Sequence, residues 1–300
     1  MAKVPRSLSG KIVAITGGGR GIGRATAAAL IAQGARVAIG DIEADLAQRT
    51  AQELGSGTIG LALDVTRRES FETFLNQVEE RLGPLDVLVN NAGIMPVGPY
   101  LDETDAMADR IVDINLRGVM LGSKLALARF VSRPGGHLVN IASIAGKAGS
   151  AHLATYCATK HAVVGLTESL RQEYAPAGIA FTVVMPVGVN TELYSGLKQL
   201  RGIKTPEPAD VANAIVEALQ TGRYEVYLPK RMNAIVRSGA LLPTRALDAV
   251  GRLMGGGGAT AEPDHAARAA YEARMARTAA GATASQAPAE QDEPAVPLSQ

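Results

Sequence analysis

A glycine-rich turn, Thr16-Gly17-Gly18-Gly19-Arg20-Gly21-Ile22-Gly23, joins a β-branched run, Lys11–Thr16, to an alanine-rich helical stretch, Gly21–Gln33. That junction constrains the fold more than any other feature of the chain. Glycines there allow a tight turn and a close approach of backbone to a pyrophosphate, whose charge is favoured by the N-terminus of the following helix. Gly17, Gly21 and Gly23 follow the spacing G-x-x-x-G-x-G, so the turn is expected to cradle a dinucleotide.

The same strand-then-helix pattern repeats downstream. Strands are expected at Arg36–Ile39, Thr58–Val65, Leu85–Asn90, His137–Ile141, Ala180–Met185 and Glu225–Leu228. Helices are expected at Glu43–Leu54, Glu69–Leu82, Ala106–Val131, Thr155–Tyr174 and Pro208–Leu219, several of them ending at a glycine. Such alternation predicts an α/β fold: a Rossmann-type, doubly wound three-layer sandwich with a mostly parallel, seven-stranded sheet and ligands beyond the carboxyl ends of its strands. Scarce aromatics (4%) and abundant small aliphatic residues suit a sheet covered closely by helices.

Pro229 marks a change of character. Residues 8–229 read as one catalytic, dinucleotide-binding domain, and 230–277 as a helical extension. Within the extension, Lys230–Met254 mixes basic and apolar residues, Gly255–Gly258 is a break, and Glu262–Arg277 reads as a helix. Thr278–Gln300 is rich in Ala, Pro, Gln and Ser without apolar periodicity and is expected to be a disordered tail.

Charge and targeting signals narrow the function. A net charge of +1 argues against nucleic acid as the main partner. The single cysteine, Cys157, has no internal disulfide partner, and neither a secretory leader nor a transmembrane run is evident, so a cytoplasmic location is expected. The four histidines show no metal-ligand spacing, and no metal is expected.

Asp41 ends the second strand, 18 residues after Gly23. A carboxylate there accepts from ribose hydroxyls and repels a 2′-phosphate, which favours NAD. Arg20 pulls the other way by offering that phosphate a guanidinium, and leaves NADP open. Tyr156 and Lys160, four residues apart on an expected helix, share one face. A positive charge near a phenol favours phenolate and brings its acid/base chemistry towards neutral pH. Ser143 follows the fifth strand, where its hydroxyl would meet the oxygen of an alcohol or carbonyl.

Taken together, these motifs resemble the short-chain dehydrogenase/reductase family, in its single-domain form, from about Leu8 to Pro229. The glycine motif T-G-x-x-x-G-x-G matches Thr16–Gly23, and the family's Asp-Val pair matches Asp64-Val65. N-N-A-G matches Asn90-Asn91-Ala92-Gly93, a helix asparagine matches Asn115, and Ser143 precedes Tyr156 by thirteen residues, as in many members.

The resemblance implies interconversion of a secondary alcohol and a ketone or aldehyde. Tyr156 would be the acid/base. Lys160 would lower its pKa and bind the nicotinamide ribose, Ser143 would hold the substrate oxygen, and Asn115 would hold a proton-relaying water. Gly17, Gly19, Arg20, Gly21, Ile22, Gly23, Asp41, Asp64, Val65, Asn91, Ala92 and Gly93 would contact the cofactor, with Val189 and Thr191 on its nicotinamide side. Departing from the family's P-G-x-V-x-T, the chain reads Pro186-Val187-Gly188-Val189-Asn190-Thr191. Val187 disfavours a positive φ, which predicts a different loop path before Thr191.

Substrate contacts are expected from Ser143, Tyr156, His152 and a lid over Leu193–Thr205, whose leucines favour an apolar alcohol or ketone. The family's habits imply a homodimer or homotetramer. Two other readings stand beside this one: a cofactor-binding scaffold without turnover, and a membrane-associated enzyme docking through Lys230–Met254. Pro243 interrupts any single helix in that segment, which favours packing over the pocket or against a second subunit.

Overall fold

The computed structural model describes residues 5–133, 135–199, 202–239, 243, 245 and 263–286. Seven strands form one sheet: β1 (Ile12–Thr16), β2 (Arg36–Asp41), β3 (Ile59–Ala62), β4 (Val87–Asn90), β5 (His137–Ile141), β6 (Ala180–Pro186) and β7 (Glu225–Leu228). Their order is β3-β2-β1-β4-β5-β6-β7, and every neighbouring pair is parallel. Helices α1 (Gly21–Ile31), α2 (Ala44–Leu54), α3 (Arg68–Leu82), α4 (Asp105–Val112), α5 (Gly118–Phe130), α6 (Ala154–Tyr174) and α7 (Pro208–Thr221) surround it. The doubly wound α/β architecture expected from the alternation is therefore present, with the whole sheet parallel.

β1 shows why. All five of its residues are buried. Val13 and Ile15 pack into one apolar layer with Leu30, Val37 and Val89. Ile12 and Ala14 pack into the opposite layer with Phe71, Phe74 and Phe130. A strand covered on both faces reads as a continuous aliphatic run, because each face must meet a helix. Strand order reverses between β1 and β4, so the loops leaving their carboxyl ends diverge and open a crevice.

Three expectations need correction. The single helix expected over Ala106–Val131 is interrupted: α4 and α5 flank a π-turn, Asp113–Arg117. Apolar periodicity cannot report such a turn, because one extra residue in the helical ladder leaves both flanking patterns intact. The third strand is shorter than Thr58–Val65 and stops at Ala62, since Asp64 turns away to accept from the Thr66 amide and hydroxyl. The terminal helix runs over His265–Gln286, past the Thr278 at which an aperiodic tail was expected. Its alanines sustain helix without supplying an apolar stripe.

Beyond β7, a short helix α8 (Met232–Gly239) packs on that strand. Met232 is buried there, and the basic residues beside it are bound locally: Lys230 to Glu217, Arg237 to Glu225, and Arg231 to the Gly202 carbonyl. Packing against the body thus accounts for the described part of the basic, apolar segment. The glycine break at 255–258 and the tail beyond 286 lie outside the described residues. The terminal helix, α9 (His265–Gln286), crosses the carboxyl edge of the sheet, and Met275 and Thr278 at its centre receive hydrogen bonds from Arg110 of α4. None of the described helices is long and apolar enough to cross a membrane.

Candidate active site

A crevice of about 900 Å³ opens at the carboxyl ends of β1, β2, β4, β5 and β6. One end is built by the glycine turn. Thr16 Oγ1 accepts from the amides of Asn91 (2.9 Å) and Ala92 (3.0 Å), while Asn91 Nδ2 donates to the carbonyls of Thr16 and Gly17. These bonds clamp the loop after β1 to the loop after β4. At Gly17, φ is +63°, and a Cβ would stand 2.9 Å from Ala92 Cα; at Gly23 a Cβ would stand 2.4 Å from the Gly17 carbonyl oxygen. Only glycine fits either place.

The N-terminus of α1 carries no side-chain cap and no acidic residue in its first turn. Its first residues, Gly21 and Ile22, face the crevice. Unsatisfied amides at a positive helix end are the donor set that a pyrophosphate requires. Gly19 and Gly23 shape the turn from behind and do not line the crevice.

Asp41 lines the crevice at the end of β2. Its two oxygens accept from the amides of Gly19 (3.1 Å) and Glu43 (3.2 Å). Burial holds its carboxyl above the usual range, opposed by those two hydrogen bonds. Each oxygen keeps a lone pair for another donor. Arg20 is less free than its sequence position implies, for it donates to Glu43 (2.6 Å) and Glu192 (3.3 Å). Asp64, Val65, Asn91, Ala92, Gly93, Val189 and Thr191 also line the crevice.

At the other end stand the candidate chemical groups. Tyr156 and Lys160 are both buried on α6, with the Lys160 ammonium 5.6 Å from the Tyr156 ring centre and donating to the Ile141 carbonyl at 2.9 Å. Burial raises the Tyr156 phenol above its usual range, and a hydrogen bond with Ser143 opposes that rise. Burial lowers Lys160 to about 8. In the protein alone desolvation therefore dominates the phenol, and the group that opposes it is Ser143 rather than the expected Lys160. Ser143 is held at the end of β5 by accepting from the Ala145 amide (3.1 Å) and donating to the Pro186 carbonyl (3.3 Å).

Asn115 sits in the π-turn, fully buried. Its amide oxygen accepts from the Ile94 amide (2.9 Å), and its Nδ2 donates to the Ile94 carbonyl (2.8 Å). A Cβ on Gly93 would lie 3.1 Å from Asn115 Oδ1 and 3.8 Å from Lys160 Nζ. Glycine at that position thus lets the segment after β4 pass between these two groups.

The chemistry such a site can perform is proton exchange by a buried phenol, at an oxygen held by Ser143, beside a cradle for a diphosphate. The family model for short chain dehydrogenase matches residues 11–201. The chain belongs to the short-chain dehydrogenase family. It is 36% identical over 228 residues to the 2-(S)-hydroxypropyl-CoM dehydrogenase 3 of Xanthobacter autotrophicus, covering 70% of this chain and 89% of that protein. A 3-alpha-(or 20-beta)-hydroxysteroid dehydrogenase of Mycobacterium tuberculosis is 35% identical over 213 residues, covering 70% and 82%. Among solved structures, the 3-ketoacyl-(acyl-carrier-protein) reductase of Brucella melitensis, complexed with NADH, superposes with a TM-score of 0.68 at 28% identity over 74% of this chain and 97% of its own.

The loop 186–191 accommodates Val187 without a positive φ: Val187 is buried and its amide donates to Leu228, while Gly188 lets the Tyr194 ring pack where a Cβ would stand. Thr191 still reaches the crevice, facing Gly21. His152 is not brought to the crevice. It lies at φ +62° between Ala151 and Leu153, which line the wall.

Sequence reasoning missed one whole side of the site. Tyr271, Arg274, Met275 and Thr278 of α9 line the crevice, and Arg268 is buried behind them. Arg274 pairs with Glu192, which also holds Arg20, so an ionic junction joins α9, the loop before the lid and the glycine turn. Burial alone would raise the Glu192 carboxyl, but Arg274 and Arg20 hold it below the usual range. The spacing of Arg268, Tyr271 and Met275, on one face of an alanine-rich helix, was the available signal.

Proposed function

We propose that this short-chain dehydrogenase interconverts a secondary alcohol and its ketone or aldehyde with NAD, using Tyr156 as acid/base. The observation that carries this reading is the convergence of Tyr156, Ser143 and Lys160 within the same crevice as the uncapped N-terminus of α1. A bound nicotinamide supplies hydride exchange. All other steps belong to the chain. Ser143 orients the substrate oxygen, and Tyr156 gives a proton to a carbonyl or takes one from an alcohol. Lys160 holds positive charge beside the phenol, and Asn115 fixes the backbone at Ile94 that faces them.

Support for NAD over NADP comes from two carboxylates as well as Asp41. Glu43 and Glu192 already occupy the Arg20 guanidinium, so a 2′-phosphate would have to displace one of them. Support for an apolar substrate comes from the cluster around Tyr156, which contains Met95, Leu153 and Cys157, with Leu193, Tyr194 and Leu197 packed on it. A cytoplasmic dimer or tetramer belongs to the same proposal and is read by light scattering of the purified chain. The deciding experiment is a screen of alcohols and ketones with NAD(H) and NADP(H), followed by absorbance at the reduced nicotinamide band. Binding of NADH without turnover of any member would overturn the reading in favour of a scaffold.

A further inference from the structure

We propose that the C-terminal helix α9 is a working wall of the active site, in which Tyr271 and Met275 limit substrate bulk beside Tyr156 and Arg268 positions the segments that frame it. This inference rests on the dehydrogenase reading and goes beyond the family resemblance, because the family match ends at residue 201, well before α9.

The argument begins with the backbone after β4. Once the chain leaves the sheet, its amides and carbonyls lose their ladder partners and need others. Ile94 finds both in the side chain of Asn115. Met95 finds both in α9: its amide donates to Tyr271 Oη at 2.7 Å, and its carbonyl accepts from Arg268 Nη2 at 3.0 Å. Adjacent residues of one active-site segment are thus held from opposite sides, the first by the family's asparagine and the second by the terminal helix.

Arg268 does more than hold Met95. Only 1% exposed, it also donates through Nη1 to the carbonyls of Ser195 (2.8 Å) and Leu193 (3.2 Å). One guanidinium therefore ties the loop after β4 to the start of the lid. A planar fork with several donors can satisfy carbonyls in different directions, which a lysine ammonium on a single stem cannot reproduce. The lid meets the N-terminal end of α9 directly as well: the Asp264 amide donates to the Gly196 carbonyl, and Gly196, at φ +70°, has no room for a side chain against Asp264.

What α9 holds is the wall of the catalytic pocket. Met95 packs in the apolar cluster with Tyr156, and Leu193 packs on it. Tyr271 and Met275, nearly fully buried, line the same crevice. Tyr271 is close enough to Tyr156 for charge on one phenol to disfavour charge on the other. Shortening Tyr271 should therefore enlarge the space beside the reacting carbonyl and leave the proton donor in place.

Substrate selectivity and amide exchange test this together. The ratio of kcat/KM for 4-phenyl-2-butanone to that for 2-butanone is independent of the fraction of folded enzyme. Tyr271→Ala should raise that ratio about tenfold, the scale on which a hydrophobic pocket distinguishes size, and Tyr271→Phe should leave it near wild type. Arg268→Gln and Arg268→Lys should both raise KM for ketone about tenfold, with a smaller effect on kcat. Hydrogen exchange, which needs no turnover, should show about tenfold faster exchange at residues 94–97 and 193–197 in Arg268→Gln, and at the Met95 amide in Tyr271→Phe, with β1 and β4 unchanged.

An unaltered selectivity ratio in Tyr271→Ala, or unaltered exchange in Arg268→Gln, would overturn the inference. If the wild type turned over neither ketone nor any other carbonyl, the dehydrogenase reading would fall with the role in substrate choice. Exchange would then still decide whether α9 positions the segment.

Discussion

The Lys160 ammonium donates to the Ile141 carbonyl at 2.9 Å while it stands 5.6 Å from the centre of the Tyr156 ring. Among the described residues no carboxylate pairs with it there, so its charge is carried at the expense of solvation. Burial brings its pKa down to about 8, a cost on the order of 3 kcal/mol to the folded state at neutral pH. Function and stability therefore oppose each other at this residue. In Lys160→Met, activity should fall at least about a hundredfold, while Tm at pH 7 should equal or exceed that of the wild type. Between pH 8 and the lysine's unfolded value, the unfolded chain binds the extra proton, so wild-type stability rises with pH and the gap between the two proteins should narrow. Thermal melts of both proteins from pH 7 to pH 10 check this; a variant less stable at every pH would refute it.

The Tyr156 phenol, raised by burial and eased by Ser143, stays protonated at neutral pH in the protein alone. A protonated phenol is ready to give a proton to a carbonyl and must first lose one to accept from an alcohol. Held above its usual range, the phenol keeps its proton across pH 6 to 10, so this group should leave reduction level while oxidation, which draws on the growing phenolate fraction, rises with pH. Tyr156→Phe should lower both directions by about a hundredfold or more, the scale of general acid–base catalysis. Ser143→Ala should lower activity and also move the pH profile to higher values, because the hydrogen bond that opposes the rise is lost. Initial rates in both directions across that range provide the measurement.

Much of this site was legible because backbone geometry demanded particular residues. Gly17 and Gly23 stand where no Cβ fits, and β1 reads as an unbroken aliphatic run because both its faces are covered. Tyr156 and Lys160 share a helix face, so their spacing in sequence is already their spacing in space. What escaped was set by contacts distant in sequence or by hydrogen-bond register. Arg268 reaches Met95 across 173 residues, and its spacing with Tyr271 and Met275 on one face of α9 does not say what that face meets. The π-turn that orients Asn115 is a change in ladder register that leaves the apolar pattern untouched. His152 lies off the crevice wall at a positive φ, a conformation rarely anticipated from sequence at a non-glycine residue.

On the proposed reading, cofactor choice turns on Asp41 and Arg20. Asp41 keeps spare lone pairs while bonded to Gly19 and Glu43, and Arg20 is engaged by Glu43 and Glu192. The wild type should prefer NAD to NADP by at least about tenfold in kcat/KM, the effect of about 1.4 kcal/mol of differential binding. Asp41→Asn removes the repulsion of a 2′-phosphate at nearly constant shape and should narrow that preference about tenfold. Adding Glu192→Gln weakens one hold on Arg20 and should narrow it further, since Arg274 also loses its partner there. Steady-state kinetics with both cofactors would contradict this assignment if the single variant left the ratio unchanged.

Two of the four hydrogen bonds that clamp the two loops of the crevice end on one hydroxyl. Thr16 is 1% exposed, and its Oγ1 accepts from both the Asn91 and Ala92 amides. Valine matches threonine in shape and offers no acceptor, so Thr16→Val leaves both amides without that partner. An unsatisfied buried donor costs about 1–3 kcal/mol; these two amides are part-buried, so the low end of the doubled range, about 2 kcal/mol in unfolding free energy, is expected. The loss should also reach the cofactor, because only the Asn91 side chain then ties the loop after β4 to the turn that faces the diphosphate. Thr16→Ser retains the acceptor and should recover most of the stability, apart from the missing methyl group. Urea denaturation of the three proteins, with NADH titration followed by fluorescence, measures both effects; equal stability of Thr16→Val and wild type would show that the clamp does not depend on this oxygen.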